Sequence, residues 1–124
     1  LLTADVDVVA PCAVGGVITA ELAARLRAFA VCGAANNCLD GPAAAMVLTR
    51  RGILHVPDEV ASAGAVIEGI GAAVMGLADR GPLIDALAHT ARALLTASLE
   101  SGVPTQLLAA QQARARLAAA RPPR

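Results

Sequence analysis

The side chains best suited to chemistry in this sequence follow or end three short apolar runs. Cys12 follows one run, Asn36 and Asn37 follow a second, and His55 lies in a third. Cysteine and histidine can act as metal ligands or as a nucleophile with its base, and an asparagine amide can hydrogen-bond a polar ligand. The spacing of these residues decides which of these roles the sequence supports.

The cysteines and histidines do not have the spacing of a metal centre. The three cysteines are Cys12, Cys32 and Cys38, the two histidines are His55 and His89, and no CxxC pair occurs. Structural zinc sites usually draw on such a closely spaced pair, so we predict no metal site. Cys12 and Cys32 each lie at the carboxyl end of a predicted strand and could approach one another. We expect all the cysteines to be buried, unreactive thiols.

Composition excludes several other kinds of function. All 10 basic residues are arginine, so this sequence supplies no lysine nucleophile or Schiff base. It contains no Gly-x-Ser-x-Gly nucleophile elbow and no P-loop. The formal net charge of +0 gives no sign of a nucleic-acid or membrane-surface binding site. Residues 60–78 are apolar enough to suggest a membrane helix, but their glycines equally suit a helix packed on a sheet, so we expect no membrane partner.

Three apolar runs, near residues 7–10, 28–32 and 53–56, are the elements that would position the candidate residues. They lack polar alternation, which is typical of strands buried on both faces of a parallel sheet. Helical segments of crossover length separate them, so we predict an α/β fold with three parallel strands, flanking helices and a helical C-terminal tail. Ligands of such sheets bind at the carboxyl ends of the strands, where the candidate residues lie.

Four blocks of the sequence together resemble a known enzyme family. They are the Asp-Val-Asp-Val-Val-Ala-Pro-Cys-Ala-Val-Gly-Gly block at residues 5–16, Gly-Ala-Ala-Asn-Asn at 33–37, Gly-Ile-Leu-His-Val-Pro-Asp at 52–58, and Ala63-Gly64. In this order and spacing they resemble the Glu/Leu/Phe/Val dehydrogenases, and within them the leucine, valine and phenylalanine branch. The resemblance implies a partial Rossmann-like sheet. Residues 1–78 would be the C-terminal half of an NAD-binding domain, and residues 79–124 a helical segment packing back on it.

The resemblance also implies two sets of ligand-facing residues. The set beside the nicotinamide and ribose of NAD, with NADP not excluded, is Pro11, Cys12, Ala13, Asn36 and Ser62. The set lining the pocket for the amino-acid substrate is Ser62, Val66 and Gly69. Ser62 stands where the family usually has an asparagine that touches coenzyme and substrate carboxylate. The residues alone also allow Asn36-Asn37 to be a turn with a left-handed backbone.

Other parts of the family's machinery have no counterpart in this sequence, namely its glycine-rich pyrophosphate turn and its catalytic lysine and aspartate. We therefore predict no catalytic residue here, and leave open whether the chain is an enzyme. The resemblance implies the nicotinamide-end portion of an NAD-dependent dehydrogenase for branched-chain or aromatic L-amino acids, inactive by itself. Its partners would be the missing N-terminal portion or a second copy, together with a small amino-acid substrate.

A second interpretation is a non-catalytic α/β interaction or scaffold module derived from the same family. Under either interpretation we expect a cytoplasmic protein, because the odd cysteine count and the Leu1-Leu2 start without a secretory leader favour a reducing compartment.

Overall fold

Three short parallel strands form the sheet in the computed structural model, which describes residues 1–120. They are β1 (Val8–Val9), β2 (Ala30–Val31) and β3 (Leu54–His55), in the spatial order β1-β2-β3. Both pairings are parallel, with Val8 opposite Ala30 and Ala30 opposite Leu54. The predicted α/β class and the three parallel strands are therefore confirmed, although each strand is shorter than its apolar run.

Six helices accompany the sheet within the described residues: α1 (Ala20–Arg25), α2 (Pro42–Arg50), α3 (Asp58–Ala61), α4 (Ala63–Met75), α5 (Gly81–Ser101) and α6 (Thr105–Ala120). None of these helices is both long enough and apolar enough to cross a bilayer. The division at residues 78 and 79 stays a prediction, and residues 121–124 of the predicted C-terminal segment lie outside the described residues.

Local sequence explains where the helices that flank the sheet begin and end. Thr19 caps α1, because its hydroxyl oxygen accepts a hydrogen bond from the Leu22 amide at 3.1 Å. Pro42 occupies the first turn of α2, where its missing N–H costs nothing. The turn that ends α2 contains Gly52, whose φ of 68° lies in the left-handed region that glycine adopts without strain. These limits place the polar loops at the carboxyl ends of the strands.

The core lies on one face of the sheet. Successive strand residues point to opposite faces, and Val9 and Val31 face a buried cluster with Ala23 of α1 and Leu48 of α2. On the opposite face Val8 is 52% exposed. The expectation that the strands would be buried on both faces is therefore wrong for β1, because α1 and α2 cover only its other face. Ala30 of β2 and Leu54 of β3, which pair in register with Val8, are half-buried.

The two edges of the sheet also differ in how far they are covered. At β3 the Thr105 hydroxyl at the start of α6 donates to the His55 carbonyl oxygen at 2.8 Å, so the outer edge is partly covered. β1 pairs only with β2 and has no second partner strand within the described part of the chain. An open edge beside an apolar face is a surface on which another strand can pair.

Candidate functional site

Three loops meet at the carboxyl edge of the sheet. The loop after β1 and the loop after β2 are joined by main-chain hydrogen bonds from Gly16 N to Asn37 O at 2.8 Å and from Ile18 N to Cys38 O at 3.0 Å. The Ala35 amide also donates to the Pro11 carbonyl oxygen at 2.9 Å. The two loops thus form a continuous surface, held mainly by backbone groups.

Two glycines allow these loops to lie so close together. A Cβ atom on Gly33 would overlap the Pro11 carbonyl oxygen and lie 2.6 Å from the Pro11 nitrogen. A Cβ on Gly15 would lie 2.7 Å from the Asn36 carbonyl oxygen. Both neighbours are main-chain atoms that cannot rotate away, so any larger residue would push the loops apart.

The structure brings together the predicted residues of these two loops. Pro11 is buried beneath Gly33, whereas Cys12, Ala13 and Asn36 are exposed on the surface. Their placement on adjoining loops agrees with a wall at the strand ends, where ligands of parallel sheets bind. The contact of Asn36 with a ribose stays a prediction.

The alternative interpretation of Asn36-Asn37, a turn with a left-handed backbone, is correct for Asn37. Its φ is 50°, so it is the left-handed turn residue, and it is the only such non-glycine residue in residues 1–120. Asparagine tolerates this conformation better than most residues. Asn36 is therefore free to act as a ligand contact while its neighbour forms the turn.

Ser62 lies at the junction of α3 and α4, and its amide donates to the Asp58 carbonyl oxygen at 2.8 Å. Its hydroxyl oxygen is buried and finds no hydrogen-bond partner among residues 1–120. A buried polar atom without a partner is costly, so this hydroxyl is a candidate ligand contact. Val66 and Gly69 follow at helical spacing and share its face of α4. Val66 is 56% exposed, so this face is open.

Sequence reasoning missed Asp58, the residue that links these parts. Its side chain is only 7% exposed, and its Oδ2 accepts a hydrogen bond from the Asn37 amide at 2.9 Å. The second oxygen, Oδ1, is buried without a partner in the described residues. In the sequence, Asp58 is a carboxylate directly after Pro57 and shortly after β3. That pattern is typical of any helix start, so it did not indicate a site.

Sequence reasoning also missed a buried group around His55, which is 5% exposed. Its Nε2 lies 3.7 Å from the Cys38 sulfur, and its Nδ1 lies 3.4 Å from the Thr105 hydroxyl. Burial lowers the pKa of His55 from 6.5 to about 4, against the opposing charge of Asp58. His55 is therefore neutral at physiological pH.

The cysteines divide into two kinds. Cys38 is buried as expected, and its burial raises the pKa of its thiol, which keeps the thiol protonated and unreactive. Cys12 and Cys32 are exposed, so the expectation of buried thiols is wrong for both. The reason is that the strands end before these residues, β1 at Val9 and β2 at Val31, so both cysteines lie in exposed loops.

The known proteins that this chain matches in sequence and structure are amino-acid dehydrogenases. The family model "Glutamate/Leucine/Phenylalanine/Valine dehydrogenase" matches residues 1–72, which hold all three strands and most of α4. A valine dehydrogenase of Streptomyces coelicolor is 38% identical over 124 residues, covering 95% of this chain and 33% of the relative. A phenylalanine dehydrogenase of Caldalkalibacillus thermarum is 47% identical over 62 residues, covering 50% of this chain and 17% of that protein.

A solved structure shows the same arrangement. The crystal structure of L-tryptophan dehydrogenase from Nostoc punctiforme superposes with a TM-score of 0.81 at 31% sequence identity. The match covers 93% of this chain and 35% of that protein. The chain thus spans about a third or less of the length of these relatives.

Proposed function

Because the chain belongs to the glutamate/leucine/phenylalanine/valine dehydrogenase family, we propose that it forms the nicotinamide-end portion of an NAD-dependent amino-acid dehydrogenase. The substrate class we propose is a branched-chain or aromatic L-amino acid, since relatives are named valine, phenylalanine and L-tryptophan dehydrogenase. One observation carries the proposal: the exposed Cys12, Ala13 and Asn36 adjoin on the carboxyl edge of the sheet, where the buried Ser62 hydroxyl lacks a partner.

The residues of this edge fit the nicotinamide end of the coenzyme. Cys12 and Ala13 offer an exposed, mostly apolar loop for the ring, and the Asn36 amide offers donors and an acceptor for ribose hydroxyls. The Ser62 hydroxyl supplies a further donor that has no use within residues 1–120. When bound, the nicotinamide ring would accept a hydride from the amino acid. The contribution of this chain is to hold and orient the ring and to face the substrate along Ser62, Val66 and Gly69.

The open face and edge of the sheet support a partner in the form of more polypeptide. Val8 is 52% exposed on a sheet face that α1 and α2 leave uncovered, and β1 has a free edge in the described structure. The relatives are about three times as long as this chain. We propose that either the rest of such a dehydrogenase or a second copy covers this face.

Binding to the isolated chain is the direct test. Dinucleotides gain much of their affinity from a pyrophosphate seated on a helix N-terminus, and this sequence has no glycine-rich turn for it. We expect NAD to bind the isolated chain no more tightly than about millimolar, near −4 kcal/mol. Isothermal titration calorimetry would measure this, and micromolar binding would contradict the assignment of a nicotinamide-end portion.

A graft tests the role in catalysis. Joining this chain to the amino-terminal portion of a leucine dehydrogenase should restore coenzyme binding, with slow turnover because the Ser62 hydroxyl is shorter than an asparagine amide. Ser62→Asn should then raise kcat/KM by about tenfold to a hundredfold, the worth of one charge-assisted hydrogen bond. Ser101→Asn, on the exposed end of α5, is the matched control. Parental turnover with Ser62 in place would show that the reasoning about this position is wrong.

A second candidate function is a non-catalytic interaction module, and the uncovered apolar sheet face favours it. The coding DNA before Leu1 distinguishes the two. A continuous reading frame that encodes a glycine-rich turn and a catalytic lysine supports the dehydrogenase. A start codon close to Leu1 supports the module.

A further inference from the structure

Asp58 connects all three loops at the carboxyl edge, although it lies 21 residues from the loop that it holds. Its Oδ2 accepts a hydrogen bond from the Asn37 amide at 2.9 Å, and the Asn37 carbonyl oxygen accepts one from the Gly16 amide at 2.8 Å. Its own carbonyl oxygen accepts from the Ser62 amide at 2.8 Å. The Asp58 side chain therefore joins the start of α3 to the loop after β2, and the bond to Ser62 is the ordinary main-chain bond of a helical turn.

Asp58 lies in the first turn of α3, where a negative charge is favourable, but a helix of four residues does not by itself require that this carboxylate be buried. In residues 1–120 its carboxylate has no ion-pair partner, since the pairs there join Arg25 with Glu21 and Arg80 with Glu68. A carboxylate that is 7% exposed is costly to bury, and its one hydrogen bond goes to a loop amide. Polar groups that are buried at a cost are usually retained for a specific geometry.

That geometry is the turn at Asn37. A φ of 50° is unfavourable for a residue with a Cβ, so it persists only where its surroundings hold it. The hydrogen bond from the Asn37 amide to Asp58 is a charge-assisted one, and such bonds are roughly twice as strong as neutral ones. The turn determines the direction in which the preceding residue, the exposed Asn36, leaves the loop.

From these contacts we propose that Asp58 is a positioning residue for coenzyme binding, holding Asn36 in the arrangement that the nicotinamide ribose requires. This inference rests on the proposed function. The Asp58 side chain acts through the Asn37 turn and does not itself touch the coenzyme, while the main chain of α3 places Ser62 four residues further on. Asp58 and Ser62 are four residues apart, and each has a buried side-chain oxygen without a partner in residues 1–120, so one bound water can serve both.

The test uses the full chain, labelled with ¹⁵N, and two amide measurements. The first is hydrogen exchange at the Asn37 amide. The second is the shift of the Ala13, Asn36 and Ser62 amides on titration with NAD to tens of millimolar. In Asp58→Ala we expect exchange at Asn37 to accelerate by about tenfold to a hundredfold, and the NAD-dependent shifts to weaken in parallel.

Two further variants separate positioning from a loss of folding. Asp58→Asn keeps an acceptor of the same size, so exchange at Asn37 should rise only severalfold, by about half the logarithmic effect of alanine. The shifts induced by NAD should be partly retained. Glu59→Gln removes one carboxylate from the adjacent exposed position and should change neither measurement. If Asp58→Ala does not fold, Asp58→Asn decides the question.

The possible failures are distinguishable. Unchanged exchange at Asn37 in both Asp58 variants overturns the positioning role. The same holds if exchange accelerates while the NAD-dependent shifts stay as in the wild-type chain. If neither the wild-type chain nor its graft onto the amino-terminal portion of a leucine dehydrogenase shows an NAD-dependent shift at Ala13, Asn36 or Ser62, the proposed function fails first, and the inference fails with it.

Discussion

Protonation of His55 should make this protein less stable in acid. Burial lowers the pKa of the folded-state imidazole from 6.5 to about 4, so between these values the unfolded chain binds a proton that the folded chain does not. The free energy of unfolding is therefore unaffected by this group above about pH 6.5, and it decreases as the pH falls from 6.5 towards 4. The two pKa values differ enough to remove about 3 kcal/mol by pH 4.

His55→Leu is the perturbation that isolates this effect, because leucine fills a similar volume and does not titrate. The Thr105 hydroxyl can still donate to the main-chain carbonyl oxygen of residue 55. Because both proteins share every other ionisable group, the difference between their pH profiles reports His55 together with its charge interaction with Asp58. The wild-type chain should lose about 3 kcal/mol more than the variant between pH 6.5 and 4.

Urea unfolding followed by far-ultraviolet circular dichroism measures both profiles, since the sequence has no Trp or Tyr for fluorescence. His89→Leu, on the exposed side of α5, is the matched control and should keep the wild-type slope. Nuclear magnetic resonance of the imidazole supplies a direct second measurement. A His55 ring that titrates near 6.5, or a His55→Leu variant with the wild-type pH dependence, would refute the reasoning.

Two other predictions concern packing. Gly33→Ala should destabilise the chain by about 1–3 kcal/mol in urea unfolding, because its Cβ would overlap the Pro11 carbonyl oxygen, and an unchanged midpoint would contradict this. Gly69→Ala, in mid-helix with nothing within 4 Å of its Cβ, should instead stabilise it by about 0.5–1 kcal/mol. We also expect the isolated chain to self-associate through its open sheet face, so that Val8→Lys reduces association in analytical ultracentrifugation. A monomeric wild-type chain with a cooperative transition at high temperature would count against that expectation.

Local sequence patterns predicted most of the fold. The apolar runs located all three strands, and glycine marked the ends of helices at Gly52 and Gly102, which have φ values of 68° and 69°. The uncovered face of the sheet could not be predicted in this way. The apolar composition of a strand indicates that both faces are suited to burial, but it does not indicate which helices cover them.

The candidate site was predictable to a lesser degree, for a related reason. The positions of Cys12, Ala13 and Asn36 follow from the strand ends, which local sequence defines. The contact between Asp58 and Asn37 joins residues 21 apart, and no periodicity signals it. Similarly, burial lowers the pKa of His55, and the residues in contact with its ring include Cys38 from the loop after β2 and Thr105 from α6, which are distant in sequence.

The contacts at the carboxyl edge also indicate which parts of the site can vary without loss of the fold. Gly15, Gly33 and the Asn37 turn fix the loops through main-chain atoms, so their arrangement is independent of the exposed side chains. The Ser62 hydroxyl makes no hydrogen bond in residues 1–120, so replacing it removes no described contact of that kind. Substitution at position 62 should therefore alter ligand binding more than stability, whereas substitution at Gly33 should lower stability and also disturb binding, because it moves the loops that carry Cys12, Ala13 and Asn36. This difference separates an intact scaffold from an intact binding site, and the two candidate functions differ in the same respect.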